Sequence, residues 1–139
     1  MRKIDTIIVH CTATRAGRGF HVSDIDAWHR ERGFDGCGYH YVVTLDGTIE
    51  VGRPIERIGA HCSGHNAHSI GIAYVGGLDA NGRPADTRTE AQKRALSSLV
   101  WLLTLRALRE GFGLLRVYGH HDFNPHKACP CFDAHAEYD

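Results

Sequence analysis

The feature that most constrains this chain is a long helix followed at once by a short apolar run. Thr89, with Gln92 three residues on, makes a capping box. The pattern continues over residues 89–110, roughly 33 Å at 1.5 Å per residue. Ala91, Ala95, Leu96, Leu99, Leu102, Leu103 and Ala107, widened by Val100 and Trp101, predict a broad apolar face packed on a sheet. Gly111 and Gly113 end the helix, and Leu114-Leu115-Arg116-Val117-Tyr118 reads as a strand. Near the other end, Thr6-Ile7-Ile8-Val9-His10 is β-branched and apolar on both faces, the pattern of a central strand covered on both sides. A helix leading into a later strand is how crossovers make parallel strands, whose C-terminal ends then share one edge of the sheet. The expected fold is therefore α/β: one domain over residues 1–139, with a central mixed sheet flanked by helices and chemistry at one sheet edge.

The strands at 6–10 and 114–118 each deliver a histidine, His10 and His120, to that edge. Between them, Ser23 as N-cap with Asp26 predicts a short amphipathic helix ending at Gly33. Residues 39–45 read as a strand, Asp46-Gly47 as a two-residue hairpin turn, and residues 48–52 as the antiparallel return. If the strand beginning at Tyr39 runs antiparallel to the first, its start reaches the same edge as His10. Residues 53–69 lose periodicity and read as a long surface loop holding His61, His65, Asn66 and His68. Residues 70–75 form a further strand, and residues 78–88 a turn-rich connection.

Composition narrows the function. Sixteen basic and sixteen acidic side chains give zero formal charge with no long run of either sign, so nucleic acid is not expected as a partner. The first apolar run is too short for a signal peptide, and nothing approaches the roughly 18 apolar residues of a membrane span. Synthesis in the cytoplasm, without membrane insertion, is the expectation. Five cysteines, at 11, 37, 62, 129 and 131, are an odd number for a disulfide framework and suit free thiols or metal ligands.

The segment from Val117 to Phe132, broken by two prolines, holds His120, His121, His126, Lys127, Cys129 and Cys131. Folding back, it would bring a thiolate beside His10 and His120. Two imidazoles and one thiolate leave a tetrahedral zinc ion with one open position, the arrangement of a catalytic site. A fourth ligand from Cys131 or His121 would close it into a structural site instead. Zinc lowers the pKa of bound water to about 7 and polarises carbonyls, so the implied reaction is hydrolysis. Attack on an amide also needs donors aimed at the developing oxyanion. Tyr39 and Lys127 are the candidates, Lys127 because it lies two residues before Cys129.

Taken in order, Ile8-Val9-His10-Cys11-Thr12-Ala13-Thr14, Trp28-His29, Gly38-Tyr39-His40-Tyr41, Asp46-Gly47-Thr48, Gly59-Ala60-His61, His65-Asn66 with Ser69-Ile70-Gly71-Ile72, and Lys127-Ala128-Cys129-Pro130 form an ordered set. This set resembles the phage-lysozyme-type N-acetylmuramoyl-L-alanine amidases, within the superfamily of zinc amidases and peptidoglycan recognition proteins. The resemblance covers nearly the whole chain. It implies a zinc hydrolase with one Zn2+ per chain, cutting the amide between N-acetylmuramic acid and the first L-alanine of the stem peptide. Carried over, His10, His120 and Cys129 are the metal ligands, Tyr39 and Lys127 the catalytic donors, and His61 and Asn66 substrate-groove positions. Cys131 is assigned a packing role, while His121 and His126 remain near enough to compete as ligands. The role implied is a phage or prophage endolysin, made in the cytoplasm as a monomer and reaching the peptidoglycan after a holin-type partner opens the membrane. A cytosolic muropeptide-recycling amidase and a non-catalytic peptidoglycan-binding protein are the alternatives.

Overall fold

A computed structural model describes residues 1–139. In chain order the elements are β1 (Thr6–Cys11), β2 (Thr14–Arg15), α1 (Val22–Glu31), β3 (Tyr41–Val43), β4 (Ile49–Val51), a 3-10 turn at Asn66–His68, β5 (Ser69–Tyr74), β6 (Gly77–Leu78), α2 (Glu90–Arg109), β7 (Arg116–Gly119), α3 (His120–Phe123) and α4 (Ala134–Tyr138). The main sheet has the order β4-β3-β5-β1-β7, and β2 with β6 makes a separate two-stranded sheet. Every residue of β1 is buried, as its unbroken apolar run requires. It pairs in parallel with β5, placing Ile8 opposite Gly71 and His10 opposite Ala73. It also pairs in parallel with β7, placing Val9 opposite Gly119. The crossover through α2 therefore sets the ends of β1 and β7 side by side, as the helix-then-strand pattern predicts.

The capping box of α2 forms: Thr89 Oγ1 accepts from the Gln92 N–H and Gln92 Oε1 accepts from the Thr89 N–H, at 3.0 and 2.9 Å. Its buried stripe is narrower than expected. Leu96, Leu99, Val100, Leu103 and Ala107 join the core, whereas Trp101 and Leu102 are 64% and 58% exposed. Residues 101 and 102 lie too far around a helix of 3.6 residues per turn to face the sheet once Leu96, Leu99 and Leu103 do. Gln92, fully buried, donates from Nε2 to the carbonyls of Val43 and Val75, tying the start of the helix to the ends of β3 and β5.

Several local expectations shift. The N-cap of α1 is His21, whose N–H donates to Asp24, while Asp26 accepts from Cys37 N–H and from Arg30. The hairpin between β3 and β4 uses three loop residues rather than two. Thr44 N–H donates to the Thr48 carbonyl, and Gly47 adopts the left-handed conformation that closes such a loop. More consequentially, β3 is short, begins at Tyr41, and pairs in parallel with β5, hence runs parallel to β1. Tyr39 thus precedes its strand and does not reach the site by antiparallel pairing. Residues 53–69 are not all surface either, since Arg53, Ile55, His61 and Cys62 are buried. The last strand starts at Arg116 with Leu114 exposed, and His120 opens a helical turn rather than a loop. No helix is long and apolar enough to cross a membrane.

Candidate metal centre and catalytic site

Side chains alternate along β1, so Ile7, Val9 and Cys11 enter the core under α2 while Ile8 and His10 face the other way. On that second face the neighbouring β5 positions are Gly71 and Ala73, whose small side chains leave space beside His10. His10 is 1% exposed. Burial, then the facing His61, His120 and His29 rings, hold its pKa well below the ordinary histidine range, so the ring is neutral and keeps a lone pair.

His120 follows β7 directly, and its ring centroid lies 4.7 Å from that of His10. Burial and then the Lys127 charge lower its pKa. The segment after α3 folds back as expected. His121 N–H donates to the Cys129 carbonyl at 2.9 Å, and the Tyr74 hydroxyl donates to the Pro130 carbonyl at 2.7 Å. Cys129 Sγ then lies 3.7 Å from His10 Nδ1 and accepts the Cys11 N–H at 3.2 Å. One ligand atom from each of His10, His120 and Cys129 falls within 4.8 Å of the other two.

The competing candidates sit elsewhere. The His121 ring faces Asp122 at 3.9 Å, His126 is exposed, and Cys131 Sγ donates to the Gly77 carbonyl at 3.3 Å while packing on the core. None of the three belongs to the cluster.

Tyr39 reaches His10 from the loop before β3, with ring centroids 5.1 Å apart, and rests on His29 at 5.3 Å. Burial, then the negative charge that Cys129, Cys11 and Cys37 carry when ionised, raises its pKa, so the phenol stays protonated. Lys127 is exposed, and its charge is felt at His120.

Of the two residues expected in the substrate groove, His61 sits against His10 and Asn66 in the loop that carries His61. His61 is 9% exposed, with Nδ1 at 2.8 Å from His10 Nε2 and Nε2 at 3.3 Å from Ser69 Oγ. Asn66 Oδ1 accepts the backbone N–H groups of His61 and Cys62 at 3.0 and 2.9 Å, so it holds the His61 loop.

Reading residue types alone does not promote Ser69, His29 or the Cys11 N–H. His29 had a signal, four residues after Ile25 on the buried face of α1; its Nδ1 accepts the Gly38 N–H at 2.8 Å and so anchors the segment leading into Tyr39. The Cys11 amide had none, because a backbone donor carries no side-chain identity.

The profile of the N-acetylmuramoyl-L-alanine amidase family matches residues 1–132. The endolysin of Klebsiella phage KP32 is 44% identical over 127 residues, covering 91% of this chain and 80% of the relative. The endolysin of Escherichia phage T7 is 44% identical over 129 residues, covering 93% and 82%. Among solved structures, the N-acetylmuramoyl-L-alanine amidase LysC from Clostridium intestinale superposes with a TM-score of 0.78 at 27% identity, covering 98% of this chain and 82% of that one.

Proposed function

Because this chain belongs to the N-acetylmuramoyl-L-alanine amidase family, we propose that it performs its hydrolysis at a single zinc ion held by His10, His120 and Cys129. The protein is an amidase of peptidoglycan, of the phage endolysin kind. The bond cut is the amide joining the lactyl group of N-acetylmuramic acid to L-alanine.

The observation that carries the zinc reading is the convergence of two imidazoles and one thiol from β1, α3 and the segment after it. Around a tetrahedral zinc, with bonds of about 2.0 Å to nitrogen and 2.3 Å to sulfur, S and N sit roughly 3.5 Å apart. Cys129 Sγ and His10 Nδ1 are 3.7 Å apart, close to that spacing, and all three ligand atoms lie within 4.8 Å of one another. The Cys11 N–H donates to the Cys129 sulfur at 3.2 Å and holds it beside His10. When bound, zinc supplies Lewis acidity, polarising a carbonyl and lowering the pKa of water.

The remaining work belongs to the chain. The Tyr39 hydroxyl, kept protonated by burial, donates to the amide oxygen as negative charge develops on it. Lys127, exposed and near enough for its charge to be felt at His120, stabilises the same charge or delivers a proton to the leaving L-alanine amine. The phage endolysin relatives support synthesis in the cytoplasm and action on the cell wall, and the same reading assigns passage to the wall to a holin-type partner.

Mass analysis of purified peptidoglycan after digestion tests this function. New L-alanine amino termini are expected. New reducing sugars would assign a glycosidase, and binding without cleavage would assign a recognition protein. Faster turnover of soluble muropeptides than of intact sacculi would move the role to recycling.

A further inference from the structure

We propose that His61 is a positioning residue: a one-way hydrogen-bond chain from His10 through His61 and Ser69 to the His65 carbonyl fixes the His10 tautomer whose free lone pair is on Nδ1. This rests on the reading of His10 as a metal ligand.

The direction of the chain follows from its far end. The His65 carbonyl can only accept, and Ser69 Oγ lies 2.7 Å from it, so the serine proton is committed there. With that proton spent, Ser69 Oγ can only accept from His61 Nε2 at 3.3 Å, so Nε2 carries the hydrogen. A neutral imidazole protonated at Nε2 has its lone pair on Nδ1. His61 Nδ1, at 2.8 Å from His10 Nε2, therefore accepts, and His10 Nε2 donates. His10 is left with its lone pair on Nδ1, the atom that faces Cys129 Sγ at 3.7 Å. Metal-bound histidines usually hand the other ring N–H to a carboxylate or carbonyl. Here a second imidazole takes that part, and a serine gives it its polarity.

The surroundings hold the His61 ring in this pose. A Cβ at Gly71, in the middle of β5, would lie 2.6 Å from His61 Cγ and Cδ2, so the ring lies flat against backbone where only glycine leaves room. Asn66 pins the loop from the other side through the His61 and Cys62 amides.

Long-range proton–nitrogen NMR of the histidine rings, on wild-type protein before and after zinc is added, reads the tautomers. In the metal-free protein both His10 and His61 are expected as Nε2–H. A proton on Nδ1 of either ring overturns the chain. Zinc affinity, measured by chelator competition, is expected to fall by about 10- to 100-fold in His61→Ala, the usual cost of losing such a partner. His61→Asn, whose amide oxygen stands near the place of Nδ1, is expected to recover most of the loss. His61→Gln, whose oxygen reaches toward Nε2, is expected not to. Unchanged affinity in His61→Ala, or equal losses in the Asn and Gln variants, overturns the positioning role. His10→Ala separates the two readings. If it binds zinc as tightly as wild type, the metal assignment fails, while the tautomers of the metal-free protein still judge the chain.

Discussion

The two faces of β1 do opposite work. Toward α2, Ile7, Val9 and Cys11 join a 17-residue apolar cluster with Ile70, Ile72, Tyr74, Val117 and the helix stripe. On the other face the apolar cluster has four members, Ile25, Cys37, Val42 and Val75, and histidines fill the remaining space. His10, His29, His40 and His61 are all buried there, and each has a ring nitrogen within hydrogen-bond distance of a defined partner. One strand thus carries a stabilising face and a reactive face separated by a single layer of backbone. Buried imidazoles are tolerable because their polar atoms are satisfied, and no buried side-chain nitrogen or oxygen lacks a partner. The arrangement implies that activity and stability can be damaged separately.

The largest separation is expected from Cys129→Ser. Losing a ligand forfeits several kcal/mol of transition-state stabilisation, at least about 10³-fold in hydrolysis. Zinc content should fall with it while the metal-free thermal midpoint holds, and Cys131→Ser should keep its zinc. Full zinc occupancy in Cys129→Ser with loss in Cys131→Ser would show that the thiolate is the wrong one. Tyr39→Phe comes next: turnover on peptidoglycan should drop about 10²-fold or more, the effect of removing one oxyanion donor, with zinc retained. Near-normal turnover there would remove Tyr39 from the chemistry.

On the other face, Leu96→Ala should cost about 3 kcal/mol of stability in chemical denaturation, the scale of a cavity in a packed core. Turnover per folded molecule should stay at the wild-type level; a fall would mean that α2 supports the site directly. The smallest effect is expected from Thr89→Ala, about 1 kcal/mol for a lost helix cap. Thr89 also donates to the Leu45 carbonyl at 2.8 Å, so a greater loss would assign weight to that tether.

The α2 capping box and the parallel relation of β1 and β7 were legible because both are encoded locally, in a cap of four residues and in a helix that must cross back over the sheet. The direction of β3 was not. A strand of three residues has no preference of its own between parallel and antiparallel neighbours, and pairing with β5 decides it. Tyr39 meets His10 all the same, from the loop before β3 instead of along a strand. The exposure of Trp101 and Leu102 was misjudged because an apolar residue on a helix declares its hydrophobicity but not whether a sheet lies under it.

What the sequence determined by itself was the inventory and its order: the first and last strands, the helix between them, and a small set of ligand and donor candidates. Only the tertiary structure decided which candidates meet. It set Cys129 rather than Cys131 against His10, 119 residues away along the chain, and brought the His61 ring within hydrogen-bond distance of His10. The physical reason is that periodicity and capping act within a few residues. The meeting of side chains from β1, the His61 loop and the segment after β7 depends on strand register, on the space left by Gly71, and on hydrogen bonds that exist only once the sheet has formed.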